Sequence, residues 1–213
     1  MRLVLASFEA QGRARRKTTM MQTVSFDRGS WMNPPKSWSV SGNTLAIETA
    51  AKTDFWQKTH YGFEHTNGHA LLFDTPEHYA AEVTFTGEFT SKYEQAGLLL
   101  WESETRWIKA GIENADGRET LAVVVTDGRS DWSMAPANGA VCDWTIRMSV
   151  TDSAVIVHAL GLGNWQILRV ANFVAKGARI GPMTCSPLGE GLKVEFSDFR
   201  LGNLPKDPLY IST

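Results

Sequence analysis

The chain has little cysteine, no excess of basic charge and no long apolar run. Its 213 residues include two cysteines, Cys142 and Cys185. Two cysteines cannot define a disulfide framework in a chain of this length, so we predict reduced thiols in the core. The formal net charge of -2 provides no basic field of the kind that drives nucleic-acid binding, and we expect no nucleic-acid partner. Because no apolar stretch approaches the length of a membrane span, we expect a soluble, cytoplasmic protein without a membrane partner.

The N-terminal region also lacks the layout of a secretory signal. Its apolar run LVLASF is short, and a basic cluster follows that run instead of preceding it. We predict that residues 1–20 form a flexible tail, that residues 21–203 form a single domain, and that residues 204–213 form a C-terminal tail. The sequence contains no internal repeat and no low-complexity linker that would divide the domain further.

Sustained helical periodicity is absent as well. From Val24 onward, short alternating segments are separated by Gly, Asn, Asp and Pro, a pattern that predicts an all-β protein. We favour one two-sheet antiparallel β-sandwich over a propeller or tandem domains. Tight turns are predicted at Asn67-Gly68, Asp116-Gly117, Asp127-Gly128 and Gly161 to Asn164. The predicted strands lie near Thr44–Thr49, Ala70–Phe73, His78–Phe89, Gln95–Glu102, Trp107–Asn114, Glu119–Thr126, Cys142–Val150, Ala154–Leu160, Trp165–Ala171, Ala178–Cys185 and Leu192–Leu201.

Strand periodicity separates two unlike faces on the central strands. In the strand that begins at Trp107, the apolar positions Ile108, Ala110 and Ile112 face the core. The opposite face therefore carries Trp107, Lys109, Gly111 and Glu113. The preceding strand places Tyr93, Gln95, Gly97, Leu99 and Trp101 on the matching face. Gly97 and Gly111 indicate a place where a ligand or another backbone approaches closely.

One segment concentrates aromatic rings beside a carboxylate. The stretch Thr53 to Phe63, TDFWQKTHYGF, carries five aromatic rings and an Asp in a pattern typical of a loop or strand end. The motifs YEQAGLLLW, RWIKAGIEN and SDWS also place a Tyr or Trp near amide or charged groups. Eight Trp residues exceed what an ordinary core needs, so some are expected to serve recognition. We predict core or edge packing for Trp31, Trp38, Trp144 and Trp165.

The sequence predicts neither a metal site nor a cofactor. The spacings of His60, His65 and His69 would allow convergence in a suitable loop. Asn67-Gly68, however, breaks any helix that would align these imidazoles, and no cysteine lies nearby.

Paired carboxylates of the glucanase type are also missing. A retaining glucanase needs two carboxylates about 5 Å apart, and sandwich glucanases carry them at alternate positions of one strand. Glu113 has no acidic neighbour on its strand face. Hydrolysis by paired acids is therefore disfavoured, unless the fold brings Asp54 or Asp131 opposite Glu113.

Several motifs together resemble a known family. WMNPPKSW, TDFWQKTHYGF, NGHALLF, YEQAGLLLW, RWIKAGIEN and SDWS, in this order, are similar to a concanavalin A-like family of unknown function that includes the fungal regulation-of-enolase protein. The resemblance covers nearly everything from Val24 to Leu201. It implies a concanavalin A-like lectin/glucanase sandwich of jelly-roll type and a cytoplasmic setting, metabolic or regulatory.

The resemblance also implies a set of site residues, with no established catalytic role for any of them. We predict that they form a concave, aromatic-lined face that binds a carbohydrate or sugar-like ligand, because rings stack on sugar C–H faces while amides and charges bind hydroxyls. The set comprises Asp54, Trp56, His60, Tyr61, Tyr93, Gln95, Trp107, Lys109, Glu113, Asp131 and Trp132. In this interpretation Trp107, Trp132 and Tyr93 supply stacking.

Plainer interpretations and other function classes stay open. Lys109 and Glu113 could form an ordinary ion pair on a sheet face, and the two aspartates could cap turns. WIKAGIEN is also similar to the strand motif of jelly-roll alginate lyases, in which a Tyr/His pair acts on the substrate. A polysaccharide lyase or glycoside hydrolase, with His60 or Glu113 as catalytic candidates, is therefore one alternative. A protein-interaction module that acts on a metabolic enzyme is the other.

Overall fold

Short alternating segments build two antiparallel sheets in the computed structural model, which describes residues 21–137, 143–161 and 163–211. The predicted flexible tail at residues 1–20 and Cys142 lie outside the described residues. Within them, no helix has the length and apolar character of a membrane span. A 3-10 helix covers Phe26–Arg28. The strands are β1 Gln22–Thr23, β2 Ser30–Met32, β3 Ser37–Ser41, β4 Thr44–Glu48, β5 Phe55–Gln57, β6 Glu64–Thr66, β7 His69–Leu72, β8 Tyr79–Gly87, β9 Gln95–Ser103, β10 Arg106–Ala115, β11 Arg118–Asp127, β12 Arg129–Pro136, β13 Trp144–Val150, β14 Val155–Leu160, β15 Trp165–Ala171, β16 Arg179–Cys185 and β17 Lys193–Gly202.

The strands form two packed sheets and one small hairpin. The first sheet has the order β15-β14-β13-β8-β17-β4-β3, with β1 paired to β17. The second sheet has the order β12-β11-β10-β9-β16-β7-β2, and β5 pairs only with β6. Every pairing between these strands is antiparallel. The predicted all-β, two-sheet antiparallel sandwich is confirmed.

The main hydrophobic core fills the space between the two sheets. Ile108, Ala110 and Ile112 of β10 point into it, as their alternation predicts, and each is at most 1% exposed. Trp144, Ile146, Met148 and Val150 enter the same core from β13. At the end of the chain, β17 changes register between Ser197 and Arg200, and Asp198 has φ 50°. A β-bulge therefore lies at Ser197-Asp198, and it returns Phe199 to the core.

Two predicted turns behave differently. Asp116 and Gly117 both have positive φ, 53° and 74°, and they connect the paired strands β10 and β11 as a tight hairpin turn should. The prediction at Asn67-Gly68 was wrong, because β6 and β7 on either side of it pair with other strands. Gly68 is required for space instead: a Cβ there would lie 2.5 Å from Cys185 Sγ and 2.3 Å from the Phe55 ring.

Gly97 and Gly111 lie directly opposite each other on β9 and β10. A Cβ on Gly111 would fall 1.9 Å from the Ala96 carbonyl oxygen and 2.8 Å from the Gly97 Cα. The close approach that these glycines indicate is therefore between two backbones. This contact draws the two central strands together beneath the face that carries Lys109 and Glu113.

We expect Gly111→Ala to lower the free energy of unfolding by more than about 2 kcal/mol, because a rigid backbone atom occupies the place of the new methyl group. Gly117→Ala is the matched control: its surroundings are open, so it meets only the cost of a left-handed backbone, about 1 kcal/mol. Urea denaturation of both variants measures the difference. Equal destabilisation would contradict the close approach of β9 and β10.

Candidate functional site

Residues 49–68 form a covering segment that leaves the first sheet and crosses the outer face of the second. The segment contains the β5–β6 hairpin. Its backbone is fixed at one end where Thr53 N–H donates to the Ser186 carbonyl at 3.2 Å. At β5, the Gln57 N–H donates to Ser130 Oγ on β12 at 2.9 Å. The aromatic-rich stretch TDFWQKTHYGF is thus the part of the molecule that turns an outer sheet face into an enclosed one.

Phe55 anchors the covering segment to the sheet. Its ring is fully buried and lies 6.0 Å from the rings of both Trp101 and Trp107, centroid to centroid. Together with Leu99, Met183 and neighbouring apolar side chains, it forms a second hydrophobic cluster outside the main core. This second cluster occupies one half of the outer face, and the other half stays open.

The open half is a cavity of about 410 Å³. Eight of the predicted site residues line it, namely Asp54, Trp56, Tyr61, Tyr93, Gln95, Lys109, Glu113 and Trp132. They come from the covering segment, the loop before β9, and strands β9, β10 and β12. The structure therefore brings together residues that lie nearly 80 positions apart in the chain.

Three predicted site residues do not line the cavity. Trp107 has 0% of its surface exposed beneath Phe55, and its Nε1 donates to the Glu104 carbonyl at 3.2 Å. Without an exposed ring face it offers a ligand no stacking surface. Asp131 points to solvent and forms an ion pair with Arg169. His60 packs edge-on against Tyr61, with ring centroids 4.7 Å apart, and lies outside the lining.

Sequence reasoning also missed part of the lining: Lys52, Phe63, His65, Val124, Pro187 and Leu188. Phe63 and His65 belong to the aromatic-rich segment or directly follow it, so the concentration of rings could have indicated them. Leu188 is 70% exposed, and only its position in the folded loop after β16 brings it to the cavity mouth. Nothing in its local sequence signals that position.

Six rings form an aromatic wall around the cavity: Trp56, Tyr61, Phe63, His65, Tyr93 and Trp132. Consecutive rings contact one another, and in three of these contacts the rings meet edge to face. The interplanar angles are 77° for Tyr93 with Trp132, 89° for Trp132 with Trp56, and 64° for Trp56 with Tyr61. Rings arranged in this way form adjoining sides of an enclosure, whereas a flat stack would fill it.

The polar floor of the cavity consists of Asp54, Gln95, Lys109 and Glu113. Asp54 Oδ1 accepts hydrogen bonds from Lys109 Nζ at 3.1 Å, from Gln95 Nε2 at 3.3 Å and from its neighbour Phe55 N–H at 2.7 Å. Gln95 also donates to the Tyr93 carbonyl at 3.1 Å. Lys109 is only 4% exposed, so the ion pair with Asp54 is shielded from solvent.

Glu113 differs from its neighbours because its carboxyl group has no hydrogen-bond or ion-pair partner among the described residues, although the residue is only 6% exposed. Burial raises its pKa to about 7, with the attraction of Lys109 and the repulsion of Asp54 as smaller opposing effects. Burial alone would lower the pKa of Lys109. The nearby Asp54 and Glu113 carboxylates outweigh this effect of burial, and the pKa of Lys109 is raised. Among the described residues Lys109 forms its ion pair with Asp54, and the ordinary Lys109–Glu113 ion pair that the sequence left open does not form.

Two further titratable groups near the site have structural roles. His69 Nε2 accepts from the Ala50 N–H at 3.0 Å, and its Nδ1 lies 2.6 Å from the Asn33 carbonyl, which assigns the proton to Nδ1. The Cys185 thiol is buried below the floor, and desolvation raises its pKa. In the described part of the chain, no group of three or more His, Cys, Asp or Glu side chains could hold a metal ion.

Backbone strain concentrates around the cavity. Tyr93 and Lys52, which both line it, have φ of 67° and 59°. Lys58 and His60 in the covering segment each have φ of 60°. Left-handed backbone is uncommon for residues other than glycine and tends to gather at functional sites. Tyr93 keeps this conformation partly through its N–H, which donates to the Asn114 carbonyl at 2.7 Å.

The comparisons with known proteins agree with this architecture. The family described as "Protein of unknown function (DUF1349)" matches residues 31–204. "Regulation of enolase protein 1" of Saccharomyces cerevisiae is 36% identical over 182 residues, which is 84% of this chain and 92% of that protein.

Two solved structures show the same fold. A protein of unknown function from Saccharomyces cerevisiae superposes with a TM-score of 0.81 at 36% identity, covering 84% of this chain and 98% of that one. A legume lectin-like domain from Entamoeba histolytica superposes with a TM-score of 0.58 at 9% identity, covering 88% and 97% of the two chains. The second likeness concerns the fold alone.

The Glu113 carboxyl group predicts a pH dependence of stability. In the unfolded chain it loses its proton near its usual pKa of 4.5, and in the fold near 7. Between these values the folded state holds a proton that the unfolded chain has released, so rising pH favours unfolding. We expect Glu113→Gln to remove this penalty and to stabilise the protein by on the order of 3 kcal/mol at pH 8, but hardly at pH 4.

Asp131→Asn is the control for this prediction, because it makes the same chemical change at an exposed carboxylate outside the cavity. Urea denaturation of both variants between pH 4 and pH 8 gives the measurement. A gain from Glu113→Gln that stays constant over this range would contradict the raised pKa.

Proposed function

This chain belongs to the DUF1349 family of proteins of unknown function, and we propose that it binds a carbohydrate or sugar-like small molecule in the cavity. The observation that carries the proposal is the Glu113 carboxyl group, which lines the floor of an enclosure with an aromatic wall and has no partner among the described residues. Its oxygens are not among the fully buried polar atoms without a partner, so they open onto the cavity, where a donor on a ligand can reach them.

The size and chemistry of the cavity support this proposal. A volume of about 410 Å³ lies within the range of small-molecule sites. Aromatic faces suit the apolar C–H surfaces of a sugar ring, while the floor offers carboxylate, amide and ammonium groups to its hydroxyls. The resemblance to a lectin-like domain adds only that the sandwich fold is one on which such sites are built.

An enzymatic function is the second candidate, favoured by the raised pKa of Glu113. A carboxyl group with a pKa of about 7 can donate or accept a proton at neutral pH, and the Asp54 carboxylate lies at the same floor. The lyase version is less well supported, because His60 does not line the cavity and Lys109 is already engaged by Asp54. We place binding before turnover.

A regulatory interaction with a metabolic enzyme is the third candidate, and its support is the name of a related protein. The Saccharomyces cerevisiae relative is called "Regulation of enolase protein 1", which associates that protein with a metabolic enzyme. A pull-down of purified enolase by this protein, with and without a saturating glycan, would test the idea directly. No surface feature of the described residues singles out such a partner.

We expect Trp132→Ala to weaken glycan binding by about tenfold or more, since it removes one side of the aromatic wall. A panel of neutral, amino and acidic glycans is titrated against the protein while its tryptophan fluorescence is followed. Trp38→Ala is the matched control, because Trp38 is 48% exposed on strand β3 and lies outside the cavity. Thermal denaturation of both variants verifies that they remain folded.

The same titrations separate the candidate functions. Saturable binding that Trp132→Ala weakens and Trp38→Ala preserves would support the proposal. New reducing ends or unsaturated products that Glu113→Gln abolishes would place catalysis first. No response to any glycan would contradict both sugar binding and sugar turnover.

A further inference from the structure

We propose that the ligand carries a cationic amine and that this amine is held by Glu113 inside the aromatic wall, which makes amino sugars the expected ligand class. The inference rests on the proposed sugar-binding function and specifies which sugars the cavity prefers. Three features of the described residues carry it: the free carboxyl group, the charge balance of the floor, and the geometry of the rings.

The first feature is the position of Glu113. Its carboxyl group lines the cavity, and the only neighbouring cation of the floor, Lys109, makes its ion pair with Asp54 at 3.1 Å instead. Within the described residues no donor reaches that carboxyl group, and the Thr120 hydroxyl donates only to the Glu113 backbone carbonyl. A carboxylate accepts hydrogen bonds and donates none, so its natural partner is a donor that the ligand brings, and an ammonium group is the strongest such donor.

The second feature is the sign of the charge at the floor. The charges of Asp54 and Lys109 cancel. Glu113 then adds no charge when it is protonated and one negative charge when it is ionised. Among the described residues that line the cavity, no buried cation is left to receive a carboxylate or sulfate on the ligand. Lys52 lines the cavity, but it is exposed to solvent, which screens its charge. This balance disfavours uronate ligands and admits a cation.

The third feature is the aromatic wall. Trp132 stands nearly perpendicular to both Trp56 and Tyr93, and Tyr61 extends the enclosure on the far side of Trp56. The faces of aromatic rings are electron-rich and attract cations, an effect that grows when water is excluded. An enclosure of rings with a carboxyl group at its floor therefore suits a compact ammonium group attached to a flat, partly apolar ring.

The experiment compares three disaccharides that differ only in the substituent at carbon 2: cellobiose, the fully deacetylated chitosan disaccharide, and N,N′-diacetylchitobiose. Each is titrated into the full-length protein at pH 7, where the sugar amine is charged in large part and Glu113 is partly ionised, with tryptophan fluorescence as the readout. We expect the amine form to bind about tenfold more tightly than cellobiose, in line with one charge-assisted hydrogen bond, and the acetylated form to gain nothing.

Variants then assign the preference to Glu113. Glu113→Gln should bring the affinity for the amine form down to that for cellobiose, while Asp131→Asn should leave the preference intact. A preference that survives in Glu113→Gln would overturn the assignment to this carboxyl group. Equal wild-type affinity for cellobiose and the amine form would overturn the inference and leave sugar binding standing, whereas no binding of any disaccharide or panel glycan would overturn both.

A second readout follows protons. An ammonium group bound at Glu113 favours the ionised carboxylate, so formation of the complex at pH 6, where the sugar amine is already largely protonated and Glu113 still holds its proton, should release protons into the buffer. Calorimetric titrations of the chitosan disaccharide in two buffers of different ionisation enthalpy measure that release. Release should be absent for Glu113→Gln, and an equal release from that variant would contradict the proposed contact.

Discussion

The ion pair between Lys109 and Asp54 is the interaction on which the site depends. It joins the middle of β10 to the start of the covering segment, 55 positions away in the sequence, and both partners are largely shielded from solvent. Such a pair adds little net stability compared with apolar residues of the same size, but breaking one side of it is costly. Its effect here is positional, because it fixes the segment that encloses the cavity and leaves Glu113 as the uncommitted acid.

The covering segment also divides the outer face of the second sheet into a closed half and an open half. Phe55 enters between Trp101 and Trp107, and the resulting cluster closes one half of that face. The rings of the covering segment that do not enter this cluster stand around the remaining half. A single excursion of the chain thus supplies both the apolar anchor and much of the aromatic wall. The left-handed backbone at Lys52, Lys58 and His60 reflects the sharp path that this requires.

Much of this arrangement could be predicted from strand periodicity. Because side chains alternate along a strand, the apolar positions of β10 fixed Lys109 and Glu113 on the outer face, and the same argument placed Gln95 beside them on β9. The burial of Trp107 could not be predicted, since period-2 alternation gives the side of the sheet but not what covers it. The partner of Lys109 was equally hidden, because it depends on the path of a long irregular segment. Leu188 reaches the cavity through the folded position of a loop and carries no local signal.

Tryptophan N–H signals offer the most direct test of whether a ligand enters this cavity. Among the eight tryptophans, Trp56 and Trp132 line it, whereas Trp31 and Trp38, on the edge strands β2 and β3, do not line it and pack against each other with ring centroids 5.3 Å apart. Nuclear magnetic resonance of nitrogen-labelled protein resolves these indole groups during a titration with pooled glycans. Saturable shifts of the Trp56 and Trp132 indole signals, with those of Trp31 and Trp38 unmoved, are the result that sugar binding in the cavity predicts. Shifts confined to Trp31 and Trp38, or no shifts at all, would contradict it.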